Sequence, residues 1–360
     1  MDRPSLAQLP GRRRVGPRHY ERFVPLLAEL ADGDGAALLP DPSDPKRFVE
    51  AACFHGLAGQ VLTGLRAQRL RLPAEHIEVI EVAQAALMVR AVLLRAELRR
   101  IGPVIAAACG TAPVLIKGPA LADRFYATPE FRPFVDLDLI VPLDELPSAV
   151  EALTSASGYT VVSQRWPASL ERHGHAVELC RELGAHSLEL ELHWRISDDP
   201  LAAPLDHARL ASGSVALPGA PGVLVPGFSE QILVVALHIL HHSERRLIWL
   251  LDLVAVGRAA SEAQWRAAFE LADGLGLAWV LHEALDLCAG HLRFDRTRPA
   301  ASAWGRDWGP LRAAQAIGGP VGYHFGHLAT LGWTERLEYL ATGTRGRLER
   351  AARALMTKRF

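Results

Sequence analysis

The residues best suited by type and spacing to do chemistry are two aspartates, Asp136 and Asp138, within Phe134-Val135-Asp136-Leu137-Asp138-Leu139-Ile140-Val141. In a strand, side chains alternate faces. Asp136 and Asp138 therefore share one face, ~7 Å apart along the strand, and Val135, Leu137, Leu139 and Val141 share the other. Two ionised carboxylates side by side on a half-buried strand repel each other and lose hydration, and Asp is a poor strand former. A cation between them offsets both costs. A second alternating run, Leu188-Glu189-Leu190-Glu191-Leu192-His193-Trp194, follows later in the chain. If it neighbours the first strand, Glu191, or Glu189 on the same face, adds a third carboxylate. Hard oxygen ligands of this kind suit Mg2+, and two such ions clamp an in-line displacement at phosphorus. The competing reading of D-x-D alone is an edge strand whose charges face water or pair with arginine.

The upstream turn supplies groups for a phosphate. Lys117 is one of three lysines among 39 basic residues, and it precedes Gly118 at the end of the short apolar strand Val114-Leu115-Ile116. An ammonium is a compact point charge, Gly118 lets backbone approach a ligand, and the following helix would turn N–H groups toward an anion. Pro119 removes one of those donors. Arg132 has two readings, a second phosphate contact or a salt bridge to one of the two aspartates. His193 and His175 also have two, contact with a triphosphate or a carboxylate on one side and packing on the other. His238, His241 and His242 share one helix face and are read as packing or exposed side chains. Asp252 is expected to pair with an arginine such as Arg246. The chain contains no P-loop and no G-x-S-x-G motif.

The elements that must hold these residues follow from periodicity. Helical spacing runs over 21–108, through Phe23, Leu26, Leu27 and Leu30, and again through Val82, Ala86, Val89, Val92 and Leu93. Strands and helices interleave over 109–200, which marks the sheet domain: a strand at Val114, a helix from Pro119, the Asp strand, a helix capped by Asp144 and stopped by Gly158, then a strand at 159–162 and a hairpin through Gly184. Residues 201–228, rich in Pro, Gly and Ala, read as a linker or loose loop, and 229–360 as a C-terminal helical domain. Residues 1–20 read as a flexible leader.

Composition limits the alternatives. Of 360 residues, 49% are hydrophobic and 22% charged, a globular balance. A formal net charge of −1 gives no global pull toward nucleic acid or anionic membrane. The basic clusters at Arg12–Arg14 and around Arg345–Arg359 read as solvated ends. Four separated cysteines fit a reducing compartment, hence a cytoplasmic expectation, and argue against a zinc or disulfide framework. The N-terminus lacks an apolar signal core. The longest apolar stretch, 247–257, is too short to span a bilayer.

The ordered set Leu115-Ile116-Lys117-Gly118-Pro119-Ala120-Leu121, Tyr126, Arg132, Asp136-Leu137-Asp138 and Val141, followed by Glu191-Leu192-His193-Trp194-Arg195, resembles the signature of the uncharacterised bacterial nucleotidyltransferases of the DNA polymerase beta superfamily. His173-Gly174-His175, His55-Gly56-Leu57 and the helix with Leu247, Trp249 and Asp252 extend the resemblance over about residues 45–260. The resemblance implies an α+β fold, a mixed sheet flanked by N-terminal helices and a C-terminal helical domain. It implies transfer of a nucleoside monophosphate from an NTP with Mg2+ or Mn2+. Asp136, Asp138 and Glu191 would be catalytic and metal-binding, with Glu189 the alternative, and Lys117, Gly118, Arg132 and His193 would face the nucleotide. The acceptor is a hydroxyl on a small molecule, peptide, protein or RNA. Alternatives of the same fold are a peptide- or protein-modifying toxin, a natural-product tailoring enzyme, or a non-catalytic nucleotide- or partner-binding protein. The wider superfamily usually carries Gly-Ser where this chain has Lys117-Gly118, which implies either that Lys117 substitutes for the missing serine or that nucleotide binding differs.

Overall fold

The structure, a computed structural model, describes residues 21–31, 38–162, 175–197, 202–241 and 246–296. The expected leader, His173 and Gly174, His242, the basic ends and the region beyond 296 lie outside the described residues, as does the side chain of His241.

The N-terminal helices are α1 (Val24–Ala31), α2 (Pro45–His55), α3 (Ala58–Arg66) and the long α4 (Ala74–Cys109). The sheet region follows: β1 (Val114–Leu115), α5 (Pro119–Phe125), β2 (Asp136–Ile140), α6 (Leu146–Ala156), β3 (Thr160–Val161), β4 (Ala176–Leu183) and β5 (His186–His193). Then come α7 (His207–Ala211), β6 (Val215–Ala216), β7 (Leu224–Val225), α8 (Phe228–His241), α9 (Leu247–Ala259), α10 (Glu262–Gly274) and α11 (Ala278–Leu292). Among the described residues, seven strands form one sheet in the order β3-β4-β5-β2-β1-β7-β6. The pairs β2–β5 and β1–β7 are parallel and the rest antiparallel. The fold is α+β, a mixed sheet with N-terminal helices and a C-terminal helical region.

The helix expected to be capped by Asp144 instead has Glu145 at its N-cap, with no side-chain cap, and two larger features differ from the sequence expectation. The stretch expected as a loose loop carries α7, β6 and β7, and β7 extends the sheet beside β1 through Val114↔Leu224. Close approach makes room for it. Gly102 of α4 has no Cβ, and one built there would stand 2.5 Å from Val223 and 3.0 Å from the Pro221 carbonyl oxygen. The second difference lies on α4. Its helical period is as expected, but Val82, Val89 and Val92 face solvent, and Ile80, Ala83, Ala91, Leu94, Leu98, Ile101 and Ile105 are buried.

Two apolar cores result. One packs α4 and α6 onto Leu137, Leu139, Leu190 and Leu192. The other joins α1–α3 to α8–α11 and reaches the sheet through Val114, Ile116 and Ile140. Buried Glu97 of α4 accepts from Arg181 of β4 at 3.0 and 2.7 Å and from Arg100 at 3.2 Å, which ties the helix to the strand at the outer part of the sheet.

Candidate active site

The parallel pairing of β2 with β5 sets Asp136 opposite Glu189 and Asp138 opposite Glu191. The condition posed by the sequence, that the two alternating strands be neighbours, is met. Leu137, Leu139, Leu190 and Leu192 fall together on the opposite, fully buried face. Burial of that face locks the register, because a slip of one residue would turn every leucine outward.

Lys117 is brought in from β1. Ile116 N–H donates to the Asp138 carbonyl at 3.1 Å, and Gly118 then turns the chain at φ 61°, ψ −120°, a region that glycine alone adopts without strain. Lys117 Nζ lies 2.8 Å from Asp138 Oδ1. From the other side, His193 Nε2 lies 3.2 Å from Asp138 Oδ1 and 3.2 Å from Glu191 Oε2. His193 Nδ1 is buried with no hydrogen-bond partner among the described residues. His175 faces the His193 ring at 5.5 Å between centroids. The Asp136 side chain, on a residue paired through its backbone with Glu189, makes no hydrogen bond or ion pair with any described residue.

Electrostatics separate the carboxylates. Burial alone would raise the Asp138 carboxyl, but Lys117 and His193 outweigh it and hold it well below the usual range. The hydrogen bond from His193 holds Glu191 low. Asp136 moves the opposite way, raised to about 7 by burial and then by the Asp138 charge, with Glu191 and Glu189 adding to it against Lys117. Burial disfavours the charged forms of Lys117 and His193, yet the surrounding carboxylates raise both. The site therefore holds one more carboxylate than its resident cations satisfy.

Other sequence-predicted residues are placed differently. The first-turn N–H groups of α5 are spent within the turn: Ala120 donates to Lys117 O, and Leu121 and Ala122 donate to Gly118 O, at 3.0–3.2 Å. Arg132 pairs with neither Asp136 nor Asp138. It is buried, with Nε and Nη2 bonded to Asp252 Oδ1 and Oδ2 at 2.7 and 2.9 Å, and the Tyr126 hydroxyl donates to the same carboxylate at 2.8 Å. Arg132 is thus the arginine that pairs with Asp252, whereas Arg246 donates to the Phe54 carbonyl. Glu189 lies on the carboxylate face but leans to Arg90, 3.4 Å away. His238 packs edge-on against Trp249, 4.8 Å between centroids.

Two supporting residues carried no sequence signal. Buried Arg90 of α4 donates to the Val135 carbonyl at 2.6 Å and the Ser187 carbonyl at 2.8 Å, which clamps the starts of β2 and β5 together. Buried Gln231 of α8 donates to the Ile116 carbonyl at 3.1 Å, directly behind Lys117. Arg90 lies within an apolar helical run, and Gln231 bonds across more than a hundred residues, so neither partner is visible locally.

The sheet thus gathers carboxylates onto two neighbouring parallel strands beside a lysine that follows β1. Residues 41–293, well over half of the chain, match the protein family described as uncharacterised nucleotidyltransferase, and the chain belongs to that family. Membership makes it a transferase. The comparison with curated proteins returned no match. No helix among the described residues is long and apolar enough to cross a membrane.

Proposed function

We propose that the protein moves a nucleoside monophosphate from an NTP to a hydroxyl acceptor and releases pyrophosphate. Asp136, Asp138 and Glu191 would hold the divalent cations. The observation that carries this reading is Asp136, a half-buried carboxylate on the face of Asp138 and Glu191, its side chain without a partner among the described residues and raised to about 7 by burial and then by the acidic groups around it. The donor set is rich in hard oxygens and carries surplus negative charge, which fits Mg2+ or Mn2+. Bound there, the ions would neutralise the triphosphate and stabilise charge on the attacking and leaving oxygens.

The chain's own groups have separate tasks. A carboxylate near the acceptor takes the proton of its hydroxyl. The acceptor oxygen bonds to the α-phosphorus, and the bond from that phosphorus to the bridging oxygen breaks, freeing pyrophosphate. Lys117 neutralises phosphate charge in place of a superfamily serine. His193 positions Asp138 and Glu191, and Arg90 holds the two strands in register. Arg132, spent on Asp252, orders the loop that leads into β2.

The test is incubation with each NTP labelled at the α-phosphate, Mg2+ or Mn2+, and candidate acceptors, beside Asp136→Asn and Asp138→Asn. Label transfer lost in both variants supports the scheme. Transfer unchanged in both refutes the assignment, and retention of NTP without pyrophosphate release identifies a binding protein instead.

A further inference from the structure

The carboxylate face carries a second donor set of different chemistry. One donor atom from each of His175, Glu191 and His193 lies within 4.8 Å of the others. Antiparallel pairing creates the cluster: Ala176 of β4 stands opposite His193 of β5, and Trp194 N–H donates to the His175 carbonyl at 3.0 Å. The two imidazoles and the carboxylate thus come from adjoining strands held by backbone hydrogen bonds.

We propose that His175, Glu191 and His193 bind a borderline first-row divalent cation, with Zn2+ as its representative, beside the Asp136–Asp138 pair. Mg2+ takes oxygen donors, whereas imidazole suits zinc and its neighbours. Tetrahedral ligands on a zinc ion stand about 3.4 Å apart at zinc–ligand bond lengths, so movement of the side chains by roughly an ångström closes the set. His193 Nε2 stands 3.2 Å from Glu191 Oε2, about the separation of two ligands on one tetrahedral zinc ion. Asp138 Oδ1 lies 3.2 Å from the same nitrogen, so that carboxylate would border a cation held there. Glu191 is 35% exposed, and three protein ligands leave a coordination position open to water or a phosphate oxygen. The cation fixes Glu191 and His193 beside Asp138.

The site shares Glu191 with the proposed nucleotidyl-transfer centre but binds without turnover, so the two readings can be separated. Co2+, a visible substitute for Zn2+, is titrated into the metal-stripped full-length chain and its absorption recorded. Zn2+ affinity is measured by competition with a chelating dye. One equivalent of Co2+ gives bands displaced from those of the aquo ion, and Zn2+ but not millimolar Mg2+ removes them. His175→Ala, at a half-buried position, weakens binding more than about tenfold, the least expected when even an outer partner of a metal site is lost. His193→Gln does the same, with thermal unfolding as the check on its fold. Asp136→Asn and His238→Ala keep the bands. Absence of the bands in the wild-type chain overturns the proposal, as do bands unchanged in His175→Ala, displaced equally by Mg2+, or lost in Asp136→Asn or His238→Ala. Bands present without label transfer count against the nucleotidyl-transfer reading alone, and normal transfer without bands counts against this one alone.

Discussion

The two faces of β2 and β5 differ by a one-residue step along the same strands and behave as opposites. On one face Leu137, Leu139, Leu190 and Leu192 are fully buried against α4 and α6. On the other, Asp136, Asp138, Glu189 and Glu191 pair strand to strand as like charges, an arrangement that destabilises a sheet. The leucine face holds the register, so the carboxylate face can carry charges that the fold alone would not select. Stability and chemistry divide between two sides of one sheet, and mutations should separate them.

The largest expected effect falls on the acidic side. Asp138→Asn and Asp136→Asn should each lower label transfer on the order of a thousandfold, equivalent to ~4 kcal/mol of transition-state stabilisation. Asp136→Asn should keep the fold, because it relieves like-charge repulsion; Asp138→Asn gives up its pairs with Lys117 and His193 and should lower the thermal transition without abolishing it. Loss of transfer with collapse of the thermal transition would mean that these residues hold the fold instead.

Next in size is the buried pair behind the site. Arg132→Ala leaves Asp252 buried without its guanidinium, at a cost of about 3–5 kcal/mol in unfolding free energy. The double change Arg132→Met with Asp252→Leu should recover part of that stability, since an apolar pair of similar volume replaces the buried ion pair while the Tyr126 hydroxyl loses its acceptor. If the recovered double variant also keeps its KM for NTP, Arg132 acts through the loop and does not touch phosphate. A raised KM would restore the phosphate role.

The leucine side should answer in stability alone. Leu139→Ala opens a cavity between β2 and α4 and should cost about 3 kcal/mol, read from chemical denaturation. Its kcat at a permissive temperature should change little. A kcat loss as large as that of Asp138→Asn would show that the two faces are not separable.

The pH dependence of the metal-free chain reads the acidic side directly. The folded-state pKa of Asp136 is about 7, against roughly 3.9 for an unfolded aspartate. The folded state binds the extra proton between those values. The stability tied to that proton is therefore full below about pH 4, falls as pH rises through 7, and levels off above. Asp136→Asn should flatten this part of the profile. Asp138, held low by Lys117 and His193, contributes with the opposite sign: its stability is present above the unfolded value and is lost at lower pH. Divalent cation should raise the melting temperature most at alkaline pH, where Asp136 is already ionised.

Much of this division is legible in the sequence, because period-two alternation is a local signal. Asp-Leu-Asp-Leu and Leu-Glu-Leu-Glu announce both faces, and only their adjacency needs coordinates. On α4 the local signal misleads. Apolar residues occur all around that helix, so Val82, Val89 and Val92 mimic a core stripe while Leu94, Leu98 and Ile101 form the real one. The strands β6 and β7 have two residues each, too short for any alternation, and they sit among prolines and glycines that read as loop. Arg132 with Asp252, and Arg90 with Val135, are pairings across 120 and 45 residues. Charge complementarity at such separation leaves no mark on either neighbourhood.

The smallest expected effect decides which glutamate belongs to the carboxylate set. Glu189 is 47% exposed and pairs with Arg90 at 3.4 Å, whereas Glu191 is opposite Asp138 and hydrogen-bonded to His193. An ion pair with one exposed partner contributes about 0–1 kcal/mol. Arg90 also keeps its two backbone acceptors when Glu189 is neutralised, so its guanidinium is not stranded. Glu189→Gln should therefore shift unfolding by less than about 1 kcal/mol and lower transfer by less than about tenfold. Glu191→Gln should lower transfer nearly as far as the aspartate variants. Titrating Mn2+ while following transfer sharpens the contrast: the half-saturating Mn2+ concentration should rise for Glu191→Gln and stay unchanged for Glu189→Gln. The reverse order would move the third carboxylate one step down β5, from the pair with Asp138 to the pair with Asp136, and would leave His193 as a support for Asp138 alone.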